Sequence, residues 1–181
     1  MTSVKKSRAT LIGVVLAFAL PVIGAKFVLD QSWYQGAATN KGTMLMPPIK
    51  LNEALQAQLP EGWRVALVAD EACGAKCEQG LYAMNQLDVA LGKESDRVKP
   101  LVFSRNELSF DLNQTPLVTS IVNPAFADAL SDLPPYRLFI IDPMGNVMLH
   151  YETFGDEEAM RAEAKNLLSD LRTLLKLSRI G

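Results

Sequence analysis

Two sulfurs are the residues most able to do chemistry. Cys73 and Cys77 are the only cysteines, and they enclose Gly74-Ala75-Lys76. At a helix start, residues i and i+4 point the same way and the first backbone N–H groups favour a thiolate. The pair therefore reads as a reactive dithiol or a soft-metal site, with Cys73 the more exposed, attacking sulfur and Cys77 the resolving one. A purely structural disulfide is the plainer alternative. Asp70 and Glu71 read as caps of the same helix, and Asp142 as a turn former. His150, the only histidine, sits in an alternating strand and reads as a sheet-face residue. There is no Ser-His-Asp set, phosphate loop or carboxylate cluster, so nothing points to a hydrolase or a kinase.

The elements that must position these sulfurs are legible from residue 63 onward. Trp63 to Ala69 reads as a buried strand, followed by a helix from Cys73 to Gly92 with Leu81, Met84, Leu87, Val89 and Leu91 as core positions. Val98 to Ser104 is the next strand, with Leu117 to Val122 a short strand or loop and Pro124 to Leu130 a short helix opened by Asn123. Tyr136 to Ile141 and Val147 to Tyr151 form a hairpin around Asp142-Pro143-Met144-Gly145-Asn146. Asp156 to Leu177 has the apolar spacing and end charges of a long amphipathic helix. The order β-α-β-(α)-β-β-α implies a thioredoxin-like, three-layer α/β/α domain with the Cys pair directly after its first strand. In such a domain Pro134 or Pro135 occupies the place of a cis-proline facing the redox cysteines.

Ahead of this domain the composition changes. From Ala9 to Ala25 there is no charge, and the apolar run extends to Leu29 across Lys26. Its roughly 20 residues match a hydrocarbon core of about 30 Å. Lys5, Lys6 and Arg8 precede it, which predicts a cytoplasmic N-terminus and a domain on the outer, oxidising side. A cleaved signal peptide is the rival reading, but its apolar core is usually about 7 to 15 residues and ends in a better small-x-small site. The expected organisation is a basic N-terminus over 1–8, a transmembrane helix over 9–29, a lead-in over 30–61 and a thioredoxin-like domain over 62–181. A short helix from Asn52 to Leu59 is possible within the lead-in. The net charge of −2, from 18 basic and 20 acidic residues mixed along the chain, excludes nucleic acid as a partner.

Together, the anchor, Gly42-Thr43-Met44-Leu45-Met46-Pro47-Pro48, the strand before Cys73-Gly74-Ala75-Lys76-Cys77, and the hairpin Phe139 to Val147 resemble the SCO/SenC family of cytochrome c oxidase assembly proteins. The resemblance runs from about Gly42 to Tyr151. It implies a thioredoxin fold, a bacterial inner-membrane anchor with the domain in the periplasm, a respiratory oxidase subunit or assembly factor as partner, and Cys73 and Cys77 as copper or redox cysteines. The family's third copper ligand, a histidine before the strand at Tyr136, is replaced here by Asp132-Leu133-Pro134-Pro135, and Glu78 replaces the proline after the second cysteine. Two thiolates suffice for linear Cu(I), with Met44, Met46, Met84, Met144 or Met148 as thioether helpers if one reaches the site. A dithiol–disulfide couple needs no histidine. The expected function is thiol–disulfide exchange, copper delivery or both during oxidase assembly; the alternative is a non-catalytic scaffold with a structural or vestigial cysteine pair.

Overall fold

The computed structural model describes residues 2–30 and 39–180. The part of the lead-in at 31–38, with Gly36, lies outside the described residues. The chain divides into two compact units, Met1–Thr39 and Asn40–Gly181.

The first unit is helix α1, Thr2–Asp30. It starts earlier than the apolar pattern predicts, and Pro21 lies inside it, leaving the Ala17 carbonyl without its usual donor. Thr10–Phe27 is long and apolar enough to cross a membrane. Its large apolar side chains, from Leu11 to Phe27, are all exposed.

The second unit is a six-stranded sheet of order β1-β6-β5-β2-β3-β4. The strands are β1 (Thr43–Lys50), β2 (Trp63–Ala69), β3 (Val98–Ser104), β4 (Thr119–Val122), β5 (Arg137–Ile141) and β6 (Asn146–Glu152). β2 and β3 pair in parallel, as do β3 and β4, whereas β5 runs antiparallel to β2 and β6 antiparallel to β5. Helices α3 (Ala75–Asn85), α4 (Leu87–Leu91) and α6 (Glu157–Leu177) cover one face; α2 (Glu53–Gln56) and α5 (Pro124–Ala129) lie on the other. This is the expected three-layer, thioredoxin-like domain.

Strand alternation builds the two cores. Val65, Leu67, Val102, Leu138 and Ile140 point to α3 and α6, while Ala66, Leu101, Phe103, Phe139 and Ile141 point to α2 and α5. Among the described residues, thirty-two buried hydrophobic residues supply most of the stabilisation through apolar burial. β6 breaks the simple alternation expected of it. Ile140 pairs with Leu149 but Ile141 pairs with Val147, so Met148 is an extra residue, and Val147 and Leu149 enter opposite cores.

Several caps follow the sequence. Asn52, Asn123 and Asp156 accept from the N–H groups of Leu55, Ala125 and Ala159 at 2.9, 3.0 and 2.9 Å. The helix expected over Asn52 to Leu59 is only the four residues of α2. Asp142 Oδ1 accepts from the N–H groups of Met144 and Asn146, closing the hairpin as expected. The single helix expected from Cys73 to Gly92 is instead α3, a break at Gln86, α4, and a 3-10 turn over Gly92–Arg97. That break rotates Val89 out of the core, leaving it 80% exposed.

β1 falls where only an extended lead-in is expected. Pro47 and Pro48 cannot donate to a ladder, so they are compatible with an edge strand alone, and the pairing with β6 is interrupted between Met44 and Ile49. The Met46–Pro47 peptide is cis. β1 is pinned by Asp170 of α6, whose buried Oδ2 accepts from Lys41 N–H at 2.7 Å, Gly42 N–H at 2.9 Å and the Tyr151 hydroxyl at 2.8 Å. Gly42 is required here because a Cβ would overlap the Tyr151 ring. Burial and the Asp170 carboxylate push the Tyr151 phenol well above its ordinary range, so it stays a donor. Replacing this carboxylate leaves three donors unpaired. Asp170→Ala is expected to lower the unfolding free energy by about 3 kcal/mol in denaturant titration; an unchanged midpoint would show that the clamp is dispensable.

Candidate redox site

Strand polarity gathers one set of residues at one end of the sheet. β2 and β3 finish there, β5 begins there and β6 returns there, so the loops at Asp70–Gly74, after Ser104, at Pro134–Tyr136 and at Thr153–Gly155 share that end. The hairpin turn with Met144 lies at the opposite end. The N-terminus of α3 sits among the gathered loops.

Cys73 and Cys77 are joined as a disulfide with their Cα atoms 5.3 Å apart. Both cysteines predicted as the site are thus brought together, but not as one helical turn. Gly74 is the N-cap of α3, in an extended conformation, so Cys73 lies outside the helix and only Cys77 lies within its first turn. Asp70 and Glu71 therefore do not cap it. The physical reason is that the extended backbone of Gly74 cannot belong to a helical turn, so the helix starts after it.

The two sulfurs have different surroundings. Cys77 is 2% exposed and belongs to the core with Leu81 and Met84, whereas Cys73 is half-buried at the edge of that core. The loop after β3 packs Leu108 and Phe110 against the same core. Ser109 ties this loop to the Glu71 carbonyl through its N–H at 3.0 Å and its hydroxyl at 2.6 Å.

α3 approaches the β6–α6 loop closely because glycines line the contact. A Cβ on Gly80 would lie 3.1 Å from Thr153 Cγ2, and one on Gly155 would lie 3.2 Å from Ala75 Cβ. Thr153 in turn donates from its N–H at 3.0 Å and its hydroxyl at 2.9 Å to the Tyr136 carbonyl. Tyr136 takes a left-handed backbone, φ 55°, and makes the turn into β5. This corrects the expectation for Pro134 or Pro135: neither peptide preceding them is cis, the turn being made one residue later by Tyr136. A cleft of about 270 Å³ opens beside this loop, walled by Leu130, Leu133, Pro134, Pro135 and Tyr136 with Arg105 at its rim.

Charges at this end are connected. Glu152 accepts from Arg137 at 3.0 Å and faces Lys76 Nζ at 3.7 Å, joining β5 and β6 to the first turn of α3. The hydrogen bond and charge of Arg137 hold the Glu152 carboxyl below its ordinary range, with Lys76 adding to the effect. No sequence spacing announces this triad, since its members are far apart along the chain.

The donors available to a metal ion are few. Among the described residues no three His, Cys, Asp or Glu side chains form a group that could hold one. His150 pairs across the sheet with Phe139 and shares its face, opposite Cys77. Met84 is a buried core residue of α3, Met144 is at the far end of the sheet, and Met44 and Met46 are on edge strand β1. The third donor of a Cys-Cys-His set is therefore not supplied by these residues.

Burial, and to a smaller degree the charge of Arg137, depress the basicity of His150. A depressed value means that the folded state resists protonation, so the stability this residue contributes is present above pH 6.5 and is lost as pH falls through its folded value. In an NMR titration the His150 imidazole is expected to titrate below 6.5; a value above it would contradict the burial argument. After mild reduction, Cys73 is expected to be alkylated before Cys77, as read by peptide mass spectrometry, because only Cys73 is open to a reagent.

Comparison with known proteins places this geometry among its relatives. Residues 63–178 match the family model described as transmembrane-like, thioredoxin-like, C-terminal domain. No curated protein matches the chain. Similar solved structures include ScoI of Bradyrhizobium japonicum with copper bound, 15% identical with a TM-score of 0.44 over 61% of this chain and 87% of that one. ScoI of Arabidopsis thaliana with copper bound is 12% identical, TM-score 0.48, over 65% and 89%. A putative DsbE thiol:disulfide interchange protein of Chlorobium tepidum is 15% identical, TM-score 0.45, over 73% and 96%.

Proposed function

The chain belongs to the transmembrane-like, thioredoxin-like family, and from that premise we propose that Cys73 and Cys77 form a dithiol–disulfide couple that exchanges with a protein partner. The observation that carries this reading is the unequal pair: a half-buried sulfur outside the helix, linked to a sealed one inside its first turn. An exchanging couple needs that division of labour.

In the reducing direction, the Cys73 thiolate attacks a partner disulfide, forming a mixed disulfide and releasing one partner thiolate. Cys77 then attacks Cys73, which restores the internal disulfide and releases the second partner thiolate; the two electrons pass to the partner. The reverse sequence oxidises a partner dithiol. The start of α3 and the cation of Lys76 favour the thiolate at Cys73. The cleft beside Tyr136 opens at the same end of the sheet, on the face of Phe139.

Within this proposal α1 spans a bacterial inner membrane once, with Lys5, Lys6 and Arg8 inside and the domain in the periplasm, following the positive-inside rule. The partner is a respiratory oxidase subunit or assembly factor, as the SCO/SenC resemblance implies. Copper in this scheme is cargo, held as linear Cu(I) by the two thiolates of the reduced pair without a histidine.

A redox titration tests the central claim. An exchanging pair is expected to have a reduction potential above about −300 mV and a structural one below it. Cys77→Ser is expected to trap a mixed disulfide through Cys73, while Cys73→Ser traps none. A potential below that limit, with no trapped species, leaves a tethered scaffold. In parallel, Cu(I) titration of the reduced chain is expected to give one bound ion, lost in Cys73→Ser; no stoichiometric binding removes the copper role.

A further inference from the structure

Among the described residues, four buried side-chain polar atoms have no hydrogen-bond partner: Trp63 Nε1, Ser104 Oγ, Arg137 Nε and His150 Nδ1. Three lie away from the disulfide. Trp63 opens β2 at the other end of the sheet, and Arg137 and His150 belong to the face of Phe139, opposite Cys77. Ser104 differs in both respects. It closes β3, directly opposite Ala69 at the end of β2, and strand alternation from Val98 and Val102 turns its side chain to the face that carries Cys77. Its residue is 1% exposed. Its carbonyl is satisfied by Asn123 N–H at 2.9 Å, so the hydroxyl alone is orphaned.

A buried hydroxyl without a partner is costly, and native proteins keep few of them. Cys77 presents the matching need. As half of a disulfide its sulfur needs no proton and is a poor acceptor. On reduction it becomes a thiol or thiolate that is sealed from water, and a sealed polar group requires a protein partner.

Building on the exchange function proposed above, we propose that Ser104 is a positioning residue whose hydroxyl hydrogen-bonds the reduced cysteine pair at Cys77 and is left empty-handed in the disulfide form, so that it biases the couple toward the dithiol. Reduction by an external dithiol delivers two electrons and two protons, breaks the Cys73–Cys77 bond and creates two S–H groups; the Ser104 contact forms at that step and is lost when the disulfide closes again.

The test equilibrates the full-length chain in detergent with mixtures of reduced and oxidised dithiothreitol and counts alkylated thiols by mass. Ser104→Ala is expected to shift the equilibrium toward the disulfide by about fivefold, and Ser104→Thr, which keeps the hydroxyl, to restore it. Thermal unfolding of both redox forms gives the second reading: Ser104→Ala destabilises the reduced chain and leaves the oxidised chain unchanged or more stable. Equal equilibrium constants, or an equal loss of stability in both forms, would overturn the proposal and assign the hydroxyl to packing or to a water. If Ser104→Ala does not fold, the infrared S–H stretch of the reduced wild-type chain decides: a hydrogen-bonded band that Cys77→Ala removes supports the contact, and a free-thiol band overturns it. A couple as strongly reducing as a structural disulfide refutes exchange, while the difference between the wild type and Ser104→Ala remains measurable and judges Ser104 separately.

Discussion

The seating of α3 on β2 is the contact from which the chemistry follows. Cys77, Leu81 and Met84 of α3 are each almost wholly removed from water against Val65 and Leu67 of the sheet. Gly80 lets the helix come within van der Waals reach of Thr153, and Gly155 lets its first residue do the same. Because the helix is held this low at its start, Cys77 is sealed. Because Gly74 interrupts the helix before it, Cys73 stays at the rim. The inequality of the two sulfurs is thus a packing result, made before any electrostatic influence acts.

Polar groups at the same end are then arranged around that seat. Thr153 and Ser109 each use both an N–H and a hydroxyl to hold a carbonyl, of Tyr136 and Glu71 respectively, and so fix the two loops that flank the disulfide. Glu152 joins Arg137 to Lys76 across the ends of β5, β6 and α3. These exposed or half-exposed ion pairs add little stability by themselves. Their effect is to keep a cation beside the cysteine loop. His150 shares the face of Arg137, and burial together with that charge depresses its basicity.

Much of the domain was legible in the chain. The strands at 63–69, 98–104 and 137–141, the hairpin at Asp142 and the long helix ending at Leu177 all follow from local apolar period, caps and turn residues, which act within a few positions. What was missed depends on partners far away in sequence. β1 becomes a strand only because β6 offers it an edge and Asp170 of α6 grips Lys41 and Gly42. The break at Gln86 and the exposure of Val89 reflect how α3 and α4 share the sheet with α6, which no single-helix pattern records. The bulge at Met148 reverses faces within one strand, and alternation alone would place Val147 and Leu149 together.

For the site, the sequence by itself determined the chemical type: the only two thiols, four residues apart, directly after a buried strand, with the one histidine elsewhere. Local spacing is enough for that, because strand and helix signals act over short range. Only the tertiary structure decided that Cys77 is sealed in the core while Cys73 stays at its edge, that Gly74 and not Asp70 or Glu71 starts the helix, that Tyr136 and not a cis-proline turns the chain beside it, and that the Ser104 hydroxyl is buried without a partner on the cysteine face. Exposure and hydrogen-bond satisfaction are properties of surroundings, and the core around Cys77 comes from stretches of chain that meet only when the sheet is assembled.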